Sequence, residues 1–118
     1  MTTREIAAVT AFHDSFGLTA KEALVLLQMA RGGIVEHRRI VGIYCDRPDT
    51  AEIEARSSIK RIRAKLRGTK LSITSHYGLG YELTAESARK LRQIERQAVA
   101  GITFLNEFRN REDASACQ

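Results

Sequence analysis

Residues 55–81 read ARSSIKRIRAKLRGTKLSITSHYGLGY. In the first half, Ala55, Ile59, Ile62 and Leu66 fall four, three and four residues apart, on one narrow helical stripe. At about 100° per residue the opposite face shows Ser57, Lys60, Arg61 and Ala64, with Arg56 and Arg63 beside it. Gly68 ends the helix and the period changes. Leu71 to Ser75 and Tyr81 to Thr84 alternate apolar and polar, as half-buried strands do. Between them, His76-Tyr-Gly-Leu-Gly80 carries glycines suited to a tight turn. A helix held by its apolar stripe, followed by a glycine-turned hairpin, is the unit around which the chain is organised.

Charge marks the same stretch. It holds seven basic residues (Arg56, Lys60, Arg61, Arg63, Lys65, Arg67 and Lys70) and no Asp or Glu. Residues 1–54 carry six Lys/Arg against eight Asp/Glu, and residues 82–118 carry six of each. One segment therefore supplies the whole positive excess behind the net charge of +5. A solvated helix face usually mixes signs; a single-sign segment points to an anionic partner, nucleic acid first. Ser57 and Ser58 are small enough to let such a helix approach base edges, where Lys60 and Arg61 would read. Arg63, Lys65, Arg67 and Lys70 are expected at phosphates or as solvated charge.

Upstream, the basic helix is expected over about Thr50–Arg67, capped by Asp49 with Glu52 in its first turn. The loop Cys45–Thr50 holds the only proline. Glu36–Cys45 reads as a helix with Ile40, Val41, Ile43 and Tyr44 inward, and Ile34-Val35 as a short strand. Thr19-Ala-Lys-Glu22 is a capping box opening a largely buried helix that stops at Gly32-Gly33. Thr3 caps a first helix to Phe16, with Ile6, Val9 and Phe12 at three-residue spacing. Downstream, Thr84 caps a helix over 85–109, leaving 110–118 as an expected flexible tail. This last helix either packs on the first or pairs with a second copy through Leu91, Ile94, Ala98, Leu105 and Phe108, a seam that Gly101 interrupts.

The composition narrows the classes. At 118 residues with 43% apolar and 28% charged residues, the chain fits one globular domain. Its apolar runs are too short for a bilayer, and residues 1–20 include Glu5 and Asp14 without a signal-peptide apolar block. Cys45 and Cys117 form no disulfide framework, so a cytoplasmic protein is expected, with Cys45 a buried thiol. His13, His37 and His76 are not at metal spacing, and no catalytic constellation has sequence support. No catalytic residue, metal or cofactor is therefore expected. Gly78-Leu-Gly80 reads as a hairpin turn, since no helix follows it as in a phosphate-binding loop.

The element order is that of a winged helix-turn-helix, and three motifs carry the likeness further. Phe16-Gly-Leu-Thr-Ala-Lys-Glu22 resembles the LTxKE start of the first helix in the OmpR/PhoB-type winged helix family. Ser58-Ile-Lys-Arg-Ile-Arg-Ala-Lys-Leu66 resembles that family's recognition helix, and Ile73 to Tyr81 its wing. The matches are collinear over residues 16–84. The resemblance implies a winged helix core at 17–84 with a small antiparallel β wing; with the N-terminal helix at 3–16 and the C-terminal helix at 85–109 read from the residues, a mainly α domain is expected. It implies a sequence-specific double-stranded DNA-binding transcription regulator, with the helix in the major groove and the wing (Leu71–Thr84) on the adjacent minor groove or backbone. Arg56, Ser57, Ser58, Lys60, Arg61 and Arg63 become candidate DNA contacts, joined by Lys70 and, at the wing, by Ser75, His76 and Tyr77. The loop residues Asp46, Arg47 and Asp49 become candidate contacts to RNA polymerase.

Three departures qualify the likeness. The N-terminus reads as a helix where the family has a sheet. Tyr77 stands where the wing often carries arginine, so a sugar or phosphate contact is expected there instead. The chain leaves no room for the family's receiver domain, which points to a stand-alone, nucleoid-associated regulator of bacterial or phage type. The alternative is a winged helix protein-interaction module that binds a polymerase subunit or another regulator without reading DNA.

Overall fold

In the computed structural model, backbone is described for residues 2–116 and side chains for residues 2–101. Five helices and three strands follow one another as α1 (Thr3–Phe16), α2 (Ala20–Ala30), β1 (Val35–Glu36), α3 (His37–Ile43), α4 (Ala51–Lys65), β2 (Ile73–His76), β3 (Gly80–Leu83) and α5 (Ala85–Ala116). The domain is mainly helical with a small antiparallel sheet in the order β1-β3-β2.

The local signals act where the residue types place them, with small offsets. Thr2, one residue before the expected Thr3, caps α1 by accepting from the Glu5 N–H at 3.2 Å. On α1 the buried side is set by Ala8, Val9 and Phe12. Ile6 lies about 120° around the helix from Phe12 and is 49% exposed. The α2 capping box is complete: Glu22 N–H donates to Thr19 Oγ1 at 3.2 Å, and Thr19 N–H to Glu22 Oε1 at 3.0 Å. Asp49 caps nothing; Thr50 occupies the N-cap of α4, without a side-chain bond to the helix. α3 is shorter than its apolar run, closing at Ile43 with Tyr44 buried beyond it. Cys45 is exposed, not buried, because the helix ends before it reaches the core.

The core is one cluster. Phe12 and Leu18 meet Leu26, Leu27 and Met29 of α2, Ile40 of α3, and Ala55, Ile59 and Ile62 of α4. Leu91 of α5 is fully buried in the same cluster, with Ile94 half-buried against it. α5 packs along α1 and α2, so the first helix packs on the last within the chain. Leu91 is thereby unavailable to a dimer seam; the seam positions Leu105 and Phe108 lie outside the described side chains. The backbone of α5 continues as helix past Arg109 to Ala116. No helix among the described residues is long and apolar enough to cross a membrane.

β2 and β3 form the protruding hairpin, with Ile73 opposite Leu83, Ser75 opposite Tyr81 and His76 opposite Gly80. The turn residues are Tyr77, Gly78 and Leu79, closed by Leu79 N–H donating to the His76 carbonyl at 2.9 Å. Gly78 has φ 75°, the left-handed conformation that a glycine takes without strain.

Candidate nucleic-acid interface

α4 decides which cations are available, because its angular positions differ by function. Ala51, Ala55, Ser58, Ile59 and Ile62 fill the buried sector. Ser58 is fully buried and its hydroxyl donates to the Ala55 carbonyl at 2.6 Å. It is therefore packing inside the domain and no contact to DNA. Small size, which suggested close approach to bases, here permits close helix packing.

Around the helix from that sector stand two flanks and an outer crest. One flank faces α2. Glu22, with no exposed surface, accepts from Lys65 Nζ at 2.6 Å and Arg61 Nε at 2.8 Å. Burial pushes the Glu22 carboxyl up, but Lys65, the Thr19 N–H and Arg61 together outweigh it and hold the pKa below its ordinary value. Glu22 raises the Arg61 guanidinium in turn, against the opposing effect of burial. Arg61 thus anchors the helix to α2 rather than standing ready as a base reader. The cap of one helix and the seating of the other share a single carboxylate.

Replacing Glu22 by Gln should destabilise the domain by about 2–3 kcal/mol, below the roughly 3–5 for a wholly buried pair, because Arg61 and Lys65 remain partly in water. Urea titration at neutral pH measures it. The folded-state pKa is depressed, so this stabilisation is present above the unfolded value near 4.5 and is lost as pH falls through the lower folded value. Wild type should weaken on acidification across that window and the Gln variant less so; parallel curves would count against the hub.

The other flank faces the hairpin. Arg63 Nη2 donates to Ser75 Oγ at 2.6 Å and to the Ile73 carbonyl at 3.2 Å, tying the helix to β2. Arg56 pairs with Glu52 at 3.1 Å on the exposed surface, a weak pair that an anion can displace. Between α4 and the hairpin lies a cleft of about 420 Å³ lined by His37, Arg56, His76, Tyr77 and Tyr81. His76 Nε2 stands 2.9 Å from Glu82, so its ring is partnered within the sheet. Tyr77 is fully exposed at the tip, and Leu79 beside it is 60% exposed.

The crest carries Lys60 and Ala64, both exposed, with half-buried Ser57 and exposed Arg67 at its edges. Ile53, which sequence reasoning did not single out, is 68% exposed on the same side. Lys70 is exposed just beyond the helix. Of the loop residues, Asp46 is engaged by Lys21 Nζ at 2.6 Å, which holds its carboxyl below the usual range; Arg47 and Asp49 are exposed. Among the described residues no three His, Cys, Asp or Glu side chains gather where a metal could bind.

Exposed Arg56, Lys60, Arg67 and Lys70 thus lie along α4 and just beyond it, with the hairpin beside them and a cleft between. Phosphates can be met by Arg56, Lys60, Arg67 and Lys70 without uncovering buried groups. Comparison with protein-family models, with curated proteins and with solved structures gives no match for this chain.

Proposed function

We propose that this chain is a sequence-specific double-stranded DNA-binding regulator in which α4 enters the major groove and the hairpin follows the neighbouring backbone or minor groove. The observation that carries the reading is the exposed side of residues 55–81, where Lys60, Arg67 and Lys70 have no acidic residue of the same segment to neutralise them. An α-helix about 10–12 Å across fits a major groove about 12 Å wide. In this reading exposed Lys60 meets guanine O6/N7, and exposed Ile53 and Ala64 meet thymine methyl groups. Arg56, Arg67 and Lys70 meet phosphates, with Tyr77 at the wing tip against sugar or phosphate.

Selection of duplexes from a random library by the purified chain tests this. Enrichment of a defined sequence supports it; no enrichment, with retention of an acidic protein partner, moves the chain to the protein-interaction reading, for which exposed Tyr77 and Leu79 supply an apolar contact. A separate expectation concerns Lys70. Its removal should lower the slope of log K against log salt by about 0.9 and leave sequence preference intact. Anisotropy titrations at several salt concentrations read the slope.

A further inference from the structure

A second cationic site lies away from α4 and the hairpin turn. Arg4 of α1, Arg31 just after α2, and Arg89, Arg92 and Arg96 of α5 line a cleft of about 490 Å³ together with Glu95. Two of these guanidiniums have carboxylate partners: Arg4 Nε is 2.9 Å from Glu95, and Arg31 Nη2 is 3.7 Å from Glu5. Arg89, Arg92 and Arg96 have none among the described residues. These three fall within about 60° of one another on α5 and span about 10 Å along it. Five arginines stand against Glu5 and Glu95 here, and Glu82 lines the hollow next to the cleft, which leaves an excess of two positive charges. Like charges so aligned repel, and an anion between them removes the repulsion.

The cleft continues into a hollow of about 380 Å³ that shares Arg89 and Arg92 and is lined by Gly32, Gly33, Thr84 and Ala85. Ala85 begins α5, whose N-terminal dipole end favours negative charge. Gly32 and Gly33 present backbone without side chains; only Arg92 Nη1 comes within 4.0 Å of a position where a Gly32 Cβ would stand. Arg89 and Arg92 are common to both hollows: Arg4, Arg31 and Arg96 line the first with them, and the start of α5 and the glycine turn line the second.

We infer that this cleft binds a small ligand carrying two linked phosphates. Guanidinium forks match phosphate oxygens in pairs. Arg89, Arg92 and Arg96, spread over about 10 Å of α5, offer more guanidinium forks than one phosphate uses, which suits two linked phosphates. The volume lies within the roughly 300–1,000 Å³ of small-molecule sites. Because the hollow also touches Thr74 and Glu82 at the base of the hairpin, an occupied cleft adjoins the wing.

Isothermal titration of the full chain with inorganic pyrophosphate at constant ionic strength tests the inference, with no DNA present. One saturable site, roughly tenfold tighter than inorganic phosphate, is expected. Arg89→Ala with Arg92→Ala should weaken it at least about tenfold, while Lys60→Ala with Lys70→Ala, which removes the same charge elsewhere, should leave it unchanged. Both arginines are exposed, and circular dichroism checks that the double variant is folded; the single Arg92→Gln variant gives the same direction with a smaller shift. No saturation, or equal loss in both doubles, overturns the site. If a short duplex displaces pyrophosphate and the Arg89/Arg92 double loses duplex affinity, the cleft is a DNA backbone contact and the small-ligand assignment fails. Intact duplex binding by that double separates this outcome from any failure of the DNA reading.

Discussion

Gly80→Ala should cost roughly 3–5 kcal/mol and lower Tm by more than about 10 °C. Gly80 is buried in β3, opposite His76 on one side and Glu36 on the other. A Cβ there would run into the Val35 carbonyl oxygen, with the Val35 carbonyl carbon at 2.8 Å and Glu36 Cα at 2.9 Å. All three obstacles are backbone, so no rotamer change relieves them. Either β1 leaves β3 or β3 shifts, and both moves break the Val35–Tyr81 register and drag Val35 from the core, where it is 1% exposed. The nearby Gly78→Ala is the control. Gly78 has φ 75° but nothing within 4 Å of its Cβ position, so only the left-handed backbone penalty of about 1–2 kcal/mol applies. Urea denaturation of both variants measures the contrast; equal midpoints would contradict the close approach of β1 and β3.

What could be read from the residues in advance follows from how local each cause is. The α2 capping box and the period change at Gly68 depend on side chains three to four residues apart, and both appear as expected. The hairpin's alternation likewise places Ile73 and Leu83 inward as a register pair. Errors arose where the cause is distant. Ser58 lies only about 100° from Ile59, and a small polar residue at that angle is buried or exposed according to what packs beside it. Arg61 and Lys65 read as surface cations because their partner, Glu22, is 39 and 43 residues away. The arginine cleft was invisible for a related reason. Its members come from segments with no positive excess along the sequence, and only the packing of α5 on α1 and α2 separates the signs in space. Segment charge located one cationic face and could not have located the other.

Arg56→Ala combined with Lys60→Ala should reduce specific duplex affinity about a hundredfold, while Arg61→Gln should change it by less than about threefold. All three residues belong to the same basic run, so charge alone predicts similar losses. Their surroundings predict different ones. Lys60 stands on the crest of α4 with no ion-pair partner among the described residues, and Arg56 borders the cleft beside the wing, held only by exposed Glu52. On the proposed reading, truncating Lys60 removes a base contact worth about 1–3 kcal/mol and truncating Arg56 a phosphate contact, neither disturbing the core. Arg61 is committed to buried Glu22 at 2.8 Å, and swinging it to DNA would strip a fully buried carboxylate of one of its two cations. Its substitution should instead appear as lost stability, shared with Glu22→Gln and non-additive with it, since both remove the same bond. Anisotropy titration on the selected duplex, alongside urea denaturation of each variant, separates the two outcomes. Equal affinity losses for Arg61→Gln and the double variant would place Arg61 in the interface and show that its bond to Glu22 opens on binding.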